Sequence, residues 1–419
     1  RIDEIKTYPV EITIENLKEN ISVSTNNPST SSKEQIINQA FKFHSQGNIS
    51  EAAKYYQLFI NQGFKDHRVF SNFGVMLKNL GQLKEAAVLQ RKAIELNPNF
   101  TEAHSNLGNV LRDLGNLQEA EKSTREAIKL NPDFAYAYSN LGNILRDLGN
   151  LHEAEKSARK AIDLNPSFAE AHLTLSTILS DLGNLEDAEL EDQKSIDISF
   201  IQNINYKYRE TCLKIINQSK SQFRQDLFTL SELNFKKNGF FVEFGSYDGL
   251  NGSNSYLLEK FFNWNGILAE PMISCHTKLK ENRRVSIETK CVWKSSGQKI
   301  LFNEPFSKKQ MATINSYSEN SHEFYKEGKR YTVTTISLLD LLDVHKAPNF
   351  IDYLSIDTEG SEYDILNAFD FQKYKFRVIT CEHNFTPMRE KIYSLLVNKG
   401  YKRKLTNISR VDDWYVYDS

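Results

Sequence analysis

Three patterns of hydrophobic and polar positions succeed one another along the chain. The stretch "NISVSTNNPSTSS" is polar and turn-rich, so residues 1–32 read as a flexible lead-in without chemistry of its own. From 33 to 202 the spacing is helical. A unit such as "HSNLGNVLRDLGNLQEAEKSTREAIKLNP" reads as two helices with "DLGN" as the break. Residues 203–238 keep the helical spacing and predict capping and linker helices, with a boundary near 220. After Gly239 apolar runs such as "FFVEFG", "GILAEP", "VSIETKCVW", "FIDYLSID" and "RVITCEHN" alternate with helical segments, the rhythm of a sheet of mostly parallel strands wound by helices. The expected fold is therefore an all-α solenoid followed by a Rossmann-like α/β domain over 239–419.

The helical region repeats. Glycines at 47, 81, 115, 149 and 183 are each 34 positions apart, as are alanines at 52, 86, 120, 154 and 188. Pro98, Pro132 and Pro166 close successive units. Gly74, Gly108 and Gly142 are expected against the alanine series, where a larger side chain would push the helices apart. These registers resemble the tetratricopeptide (TPR) family over 33–202, in five units. His104 and Tyr138 stand where the family often has Trp, and Gln90 and Thr124 where an aromatic is common, which predicts looser packing. Asn38, Asn72, Asn106 and Asn140 also recur at 34. The resemblance puts that position on the concave face. A related asparagine ladder in the tetratricopeptide superhelix of O-linked N-acetylglucosamine transferase binds peptide main chain, so the ladder is read as a groove for a protein or peptide partner, or else as solvated copies left by repeat duplication.

In the second half, chemistry is expected outside the carboxyl ends of the strands. Glu243, Glu270, Asp357 and Glu382 lie at or near such ends. Gly245 and Gly249 allow close backbone approach, but Ser246, Tyr247 and Asp248 fill the interval, so the dinucleotide fingerprint is absent and a carboxylate two residues before the first glycine suits a cationic ligand. The chain has 419 residues and a formal charge of −2, which argues against broad nucleic-acid binding. Four scattered cysteines, Cys212, Cys275, Cys291 and Cys381, show no metal or disulfide spacing and favour a reducing, cytoplasmic setting. No run is apolar enough to span a membrane, and "RIDEIKTYPV" lacks a signal-peptide core; Arg1 in place of Met leaves room for an upstream piece.

The strings "VEFGSYDGLNGSNS", "GILAEP", "DYLSIDTEGSEYDIL" and "VITCEHN", in this order, resemble the FkbM family of S-adenosylmethionine-dependent methyltransferases, over roughly 180 residues to the C-terminus. Ser355 departs from the Lys that many members carry before "IDTEG". The resemblance implies S-adenosylmethionine as cofactor, held by Glu243, Gly245, Ser246, Asp248, Gly249, Glu270 and Asp357. Glu243 would offset the cationic end, and Glu270, 25 residues after Gly245, would accept hydrogen bonds from the ribose diol. Adenine is expected near "KCVW", with Val292 or Trp293 as a wall.

A hydroxyl acceptor benefits from a base. His383, Asp357 and Glu382 are the catalytic candidates, His383 first because its ordinary pKa is near 6.5. Asp357 with Glu382 or Asn384 also makes an oxygen set that a divalent metal takes, which the family resemblance does not require. Glu359 and Glu362 read equally as acids complementing a helix N-terminus. The run from Asn303 to Arg330 lacks periodicity and is read as a long loop, either solvated or covering the acceptor with Lys308, Lys309, Lys329 and Arg330. The expected protein is an S-adenosylmethionine-dependent methyltransferase, O-methylating a sugar, glycan or other hydroxylated metabolite. Its rivals are a repeat scaffold with a degenerate second domain and a repeat-linked glycosyltransferase.

Overall fold

The computed structural model describes residues 32–318 and 325–418; the lead-in expected before residue 32 lies outside the described residues. The chain divides into two compact units at Ser195. Among the described residues of the first, helices pair in sequence: Lys33–Ser45 with Ile49–Asn61, His67–Asn79 with Leu83–Leu96, Thr101–Asp113 with Leu117–Leu130, Ala135–Asp147 with Leu151–Leu164, and Ala169–Asp181 with Leu185–Asn203. A capping box opens the series, with Ser32 and Gln35 exchanging side-chain and backbone bonds. The break within each unit is a left-handed glycine. Gly115 has φ 80°, and the N–H of Asn116 bonds back to the carbonyl of Leu111 at 2.8 Å, which ends the helix without orphaned carbonyls.

Small residues set the distance between paired helices. A Cβ on Gly108 would stand 2.0 Å from Thr124 Oγ1 and 3.1 Å from the carbonyl of Ala120; one on Gly142 would stand 3.3 Å from the carbonyl of Ala154. Gln90 and Thr124, where looser packing was expected, are fully buried instead. Gln90 fills its place by bonding Ser71 at both ends of its amide, to Oγ and to the carbonyl oxygen, each at 2.9 Å. Lys78 meets Asp113 at 3.2 Å, Arg112 meets Asp147 at 3.7 Å and Arg146 meets Asp181 at 3.7 Å, an ion-pair ladder at the repeat spacing. Such half-exposed pairs contribute little, so apolar burial carries the stack.

The second unit is built on a seven-stranded sheet. Its strands are β1 (Phe240–Phe244), β2 (Asn265–Ala269), β3 (Ser286–Glu288), β8 (Phe350–Ile356), β9 (Lys375–Glu382), β10 (Tyr401–Lys404) and β11 (Asp412–Tyr417), in the order β10-β11-β9-β8-β1-β2-β3. All neighbours are parallel except β11 with β9 and with β10. The near-continuous apolar runs are explained by burial on both faces. Val242, Phe244, Leu354 and Ile379 pack one way, against the helices Leu338–Val344, Glu362–Asn367 and Met388–Asn398. Phe241, Leu268, Tyr353 and Trp414 pack the other, with Leu227, Phe228, Leu257 and Leu279 of the helices Gln225–Glu232, Tyr256–Phe262 and His276–Asn282.

Two expectations change. "VSIETKCVW" is not one strand: it breaks after β3, and β4 (Cys291–Trp293) joins a second sheet of order β4-β7-β5-β6. The run expected to be a loop, Asn303–Arg330, supplies β6 and the inner ends of two flanking strands to that sheet, and is otherwise without strand among its described residues. β5 (Lys299–Pro305) pairs antiparallel with β7 (Gly328–Ser337) and with β6 (Thr313–Ile314). The β5 and β7 partners sit 23 to 35 positions apart, from Pro305 with Gly328 to Lys299 with Thr334, so no hairpin signal marks them in the sequence.

Replacing Gly108 by Ala is expected to destabilise the chain by about 1–3 kcal/mol through overpacking. In urea denaturation, Thr124→Ala should relieve most of that loss. Strictly additive effects would show that the Gly108–Thr124 contact does not set the helix spacing.

Candidate active site

The sheet order reverses between β1 and β8, so their loops leave in opposite directions and open a crevice at the carboxyl ends. The two loops touch at one point. Gly245 has φ 72°, and a Cβ there would stand 1.8 Å from the carbonyl oxygen of Asp357. Glycine is therefore required here by the protein itself. The crevice is lined by Gly245, Tyr247, Glu270, Met272, Asp357 and Thr358, and is covered by Lys309, Gln310 and Ala312 of the connection between β5 and β6, within the run read as a possible cover, and by Ile314 of β6. Thr313 ties that roof down, its hydroxyl donating to the carbonyls of Thr358 and Glu359, both at 3.1 Å.

The expected cofactor residues fall into two groups. Glu270, at the end of β2, lies on the crevice wall and accepts the N–H groups of Tyr247 at 2.8 Å and Met272 at 2.9 Å. Burial pushes its carboxyl up to about 7, against the pull of those two donors. Ser246 is buried beside Gly245, and its hydroxyl has no hydrogen-bond partner among the described residues. Glu243, Asp248 and Gly249 are engaged by the protein. Glu243 accepts the N–H of Asn254 at 2.8 Å and the hydroxyls of Ser253 and Ser255. Beneath it the fully buried Arg283 donates to Ser253 at 2.9 Å, to Ser255 at 2.8 Å and to the carbonyl of Gly249 at 3.1 Å, while also pairing with Glu259. A Cβ on Gly249 would stand 2.6 Å from Arg283 Cγ, so this glycine makes room for the arginine. Asp248 caps its own turn, accepting the N–H groups of Leu250 and Asn251. Arg283 escaped the sequence reading because its partners lie 24 to 34 positions away. Val292 joins the main core, and Trp293 packs edge-on to Tyr317 with centroids 5.9 Å apart.

At the ends of β8 and β9 three acids converge: oxygens of Asp357, Glu359 and Glu382 all lie within 4.8 Å of one another. Burial raises Asp357 to about 7 and Glu359 to about 9, and Glu382 well above the usual carboxylate range; the like charges add to each shift. Asn384 donates to Glu359 at 3.3 Å. Glu362, in contrast, braces the loop by accepting the N–H groups of Thr358 and Gly360, each at 3.0 Å. His383 lies apart from these acids. Its Nδ1 accepts the N–H of Phe385 at 3.0 Å and its Nε2 stands 3.7 Å from Asp413, on β11. Asp413 pairs with Cys381 across the sheet, whereas Glu382 pairs with Asp412, so His383 and Glu382 turn to opposite faces of β9. Burial drives the histidine down to about 4, which keeps it neutral near pH 7.

The asparagine series also acquires structural partners. Asn106 donates to Ser71 Oγ at 3.2 Å and Asn140 to Ser105 Oγ at 3.1 Å, each reaching one repeat back, and Thr174 continues the pattern to Ser139 at 3.2 Å. Asn38 is exposed and Asn72 half-buried.

Residues 243–403 match the methyltransferase FkbM domain, and tetratricopeptide repeats match at 67–100, 89–122, 108–149 and 135–168. The chain carries tetratricopeptide repeats followed by an FkbM methyltransferase domain. Among solved structures, the crystal structure of MamA protein is 20% identical with a TM-score of 0.34, over 40% of this chain and 91% of its own. A thermophilic TPR protein of Thermus thermophilus is 17% identical with a TM-score of 0.36, over 40% of this chain and 91% of its own. The first TPR of Spaghetti (RPAP3), bound to an HSP90 peptide, is 26% identical with a TM-score of 0.27, over 28% of this chain and 93% of its own. No curated protein matches the chain. Among the described residues, no helix is long and apolar enough to cross a membrane.

Several buried carboxyls of the second unit are raised by desolvation to about 7: Asp226, Glu270, Asp357 and Asp412. A group whose folded pKa is raised binds more protons folded than unfolded, so its stabilising contribution is complete below the unfolded value and is lost as pH rises through about 7. The second unit is expected to melt higher at pH 5.5 than at pH 8, followed by calorimetry. Asp226→Asn, which removes one such group far from solvent, should shrink that difference; an unchanged pH dependence would mean that Asp226 ionises normally.

Proposed function

We propose that the FkbM domain uses S-adenosylmethionine to methylate an oxygen of a sugar, glycan or other hydroxylated metabolite, and that the repeats hold a protein partner that brings the domain to its substrate. The observation that carries the cofactor reading is Glu270: a carboxylate at the end of β2, on the crevice wall and held by two N–H groups, which is the chemistry that accepts a ribose diol. Asp357 adds a second acid to the same crevice wall, and the hydroxyl of Ser246, between the lining residues Gly245 and Tyr247, is left without a partner among the described residues, so the donor set fits the cofactor. Bound there, S-adenosylmethionine supplies a methyl group on a sulfonium. Asp357 and Glu270 then offer negative charge to the cationic ligand, while Glu243 acts one layer below by holding the Ser253–Ser255 turn.

The chain's own contribution to the transfer is positioning and proton acceptance. Asp357, on the crevice wall, and Glu382 beside it are the acids placed to orient a hydroxyl acceptor and receive its proton. His383, neutral and set against Asp413, is better suited to holding the turn that follows β9 than to acting as the base. The four cysteines are buried free thiols, in keeping with a reducing, cytoplasmic setting.

Calorimetry on the full chain is expected to detect binding of S-adenosylmethionine and of its demethylated product but not of NAD. Glu270→Gln should weaken that binding by about 1–3 kcal/mol as a charge-assisted hydrogen bond is lost. A folded protein that binds neither ligand would leave the repeats as the working part and overturn the enzyme reading.

For the repeats, the half-buried Asn106 keeps its Oδ1 to offer a peptide N–H once Nδ2 is engaged, whereas Asn140, expected in the same groove, is buried and serves as an internal brace. Replacing Asn72 and Asn106 by Ala should reduce binding to arrayed extended peptides. Asn106→Ala should also cost about 0.5–1.5 kcal/mol of stability through its lost bond to Ser71, an effect absent from Asn72→Ala. Peptide binding unaltered in the double variant would leave the ladder a purely internal brace.

A further inference from the structure

We propose that Asp357, Glu359 and Glu382 form a binding site for one hard divalent cation, of the Mg²⁺ or Mn²⁺ kind, at the mouth of the crevice. The three carboxylates come from the ends of two neighbouring strands, and their oxygens lie within 4.8 Å of one another. Oxygen ligands on opposite sides of a cation at roughly 2.1–2.5 Å are separated by about that distance. Proximity of acids alone carries little weight; the second observation is Glu382. It is 9% exposed, its Oε2 lacks any hydrogen-bond partner among the described residues, and it belongs to the same cluster. A buried, orphaned carboxylate oxygen is costly and is satisfied by a proton or by a metal.

The surroundings favour the metal. No lysine or arginine forms an ion pair with any of the three acids among the described residues, whereas Glu243, Glu259 and Asp413 each stand beside an arginine and Glu270 and Glu362 each accept two backbone N–H groups. An all-oxygen donor set without sulfur or imidazole selects magnesium, manganese or calcium over zinc. Asn384 donates its amide N–H to Glu359, the outer contact that orients a ligating carboxylate. Three protein oxygens leave positions free in a six-coordinate shell, and Asp357 lines the crevice, so the free positions face the space open to a substrate. A hydroxylated acceptor with two adjacent oxygens would complete the shell; that role rests on the methyltransferase reading, whereas the cation site does not.

The test is a titration of the full chain with Mn²⁺ alone, followed by electron paramagnetic resonance of the free ion, with no cofactor or acceptor added. The expected result is saturable binding of one Mn²⁺ per chain, displaced by Mg²⁺, and weakened about 10- to 100-fold in Glu382→Gln and in Glu359→Gln. Glu390→Gln, at an exposed position of the helix Met388–Asn398, should bind like the wild type. Thermal melts with and without Mn²⁺ guard against misfolding: the ion should raise the melting temperature of the wild type and of Glu390→Gln but not of the two site variants. Absence of saturable binding, or equal binding by all variants, overturns the site. Mn²⁺ binding in a protein that takes no S-adenosylmethionine would leave the cation site standing and remove the methyltransferase reading.

Discussion

The FkbM domain turns on one backbone contact, the approach of Gly245 to the carbonyl of Asp357. β1 and β8 are parallel neighbours at the reversal of strand order, and their outgoing loops meet so closely that any side chain at Gly245 would enter the Asp357 oxygen. The crevice follows from that contact. Glu270 stands one strand to one side, and Glu382 one strand to the other, with Asp357 between them. Beneath the glycine loop, Arg283 and Glu243 clamp the turn leading into the helix Tyr256–Phe262. A charged pair so deeply buried is retained for geometry more readily than for stability, since an apolar replacement of equal shape would remove the desolvation cost.

Acids at strand ends are satisfied in two different ways. Glu243, Glu270 and Glu362 each receive N–H donors from adjacent loops, which replace the water they have lost. Asp357, Glu359 and Glu382 face one another instead, with the amide of Asn384 donating to Glu359. Like charges in a low-dielectric setting push each carboxyl toward its protonated form. The first arrangement holds loops in place; the second stores electrostatic cost where a cation or a substrate proton can relieve it.

The repeats work under a simpler constraint. Gly108 and Gly142 let paired helices approach, and alanines meet them from the facing helix. The polar residues on that surface are not idle: the Asn106–Ser71 and Asn140–Ser105 bonds join successive repeats at a step of 35. A residue that recurs with the repeat is therefore explained first by the neighbouring repeat, and only its remaining hydrogen-bonding atom is available to a partner.

How much of this was legible in the chain follows from the range of each interaction. The repeat period, the helix pairs and the strand-end positions of Glu243, Glu270, Asp357 and Glu382 are written in local spacing, because helix and strand geometry repeat over a few residues. The motifs around them were enough to point to the FkbM domain. Tertiary structure alone decided which of those acids reaches the crevice. Glu243 is claimed by Arg283, 40 positions on, and His383 is turned to Asp413 by the pairing of β9 with β11. The second sheet was equally hidden, since β5 and β7 show their partnership only when brought side by side across an intervening stretch of chain. Local periodicity says where a side chain leaves the backbone. What it meets is set by neighbours that folding brings in from far along the chain.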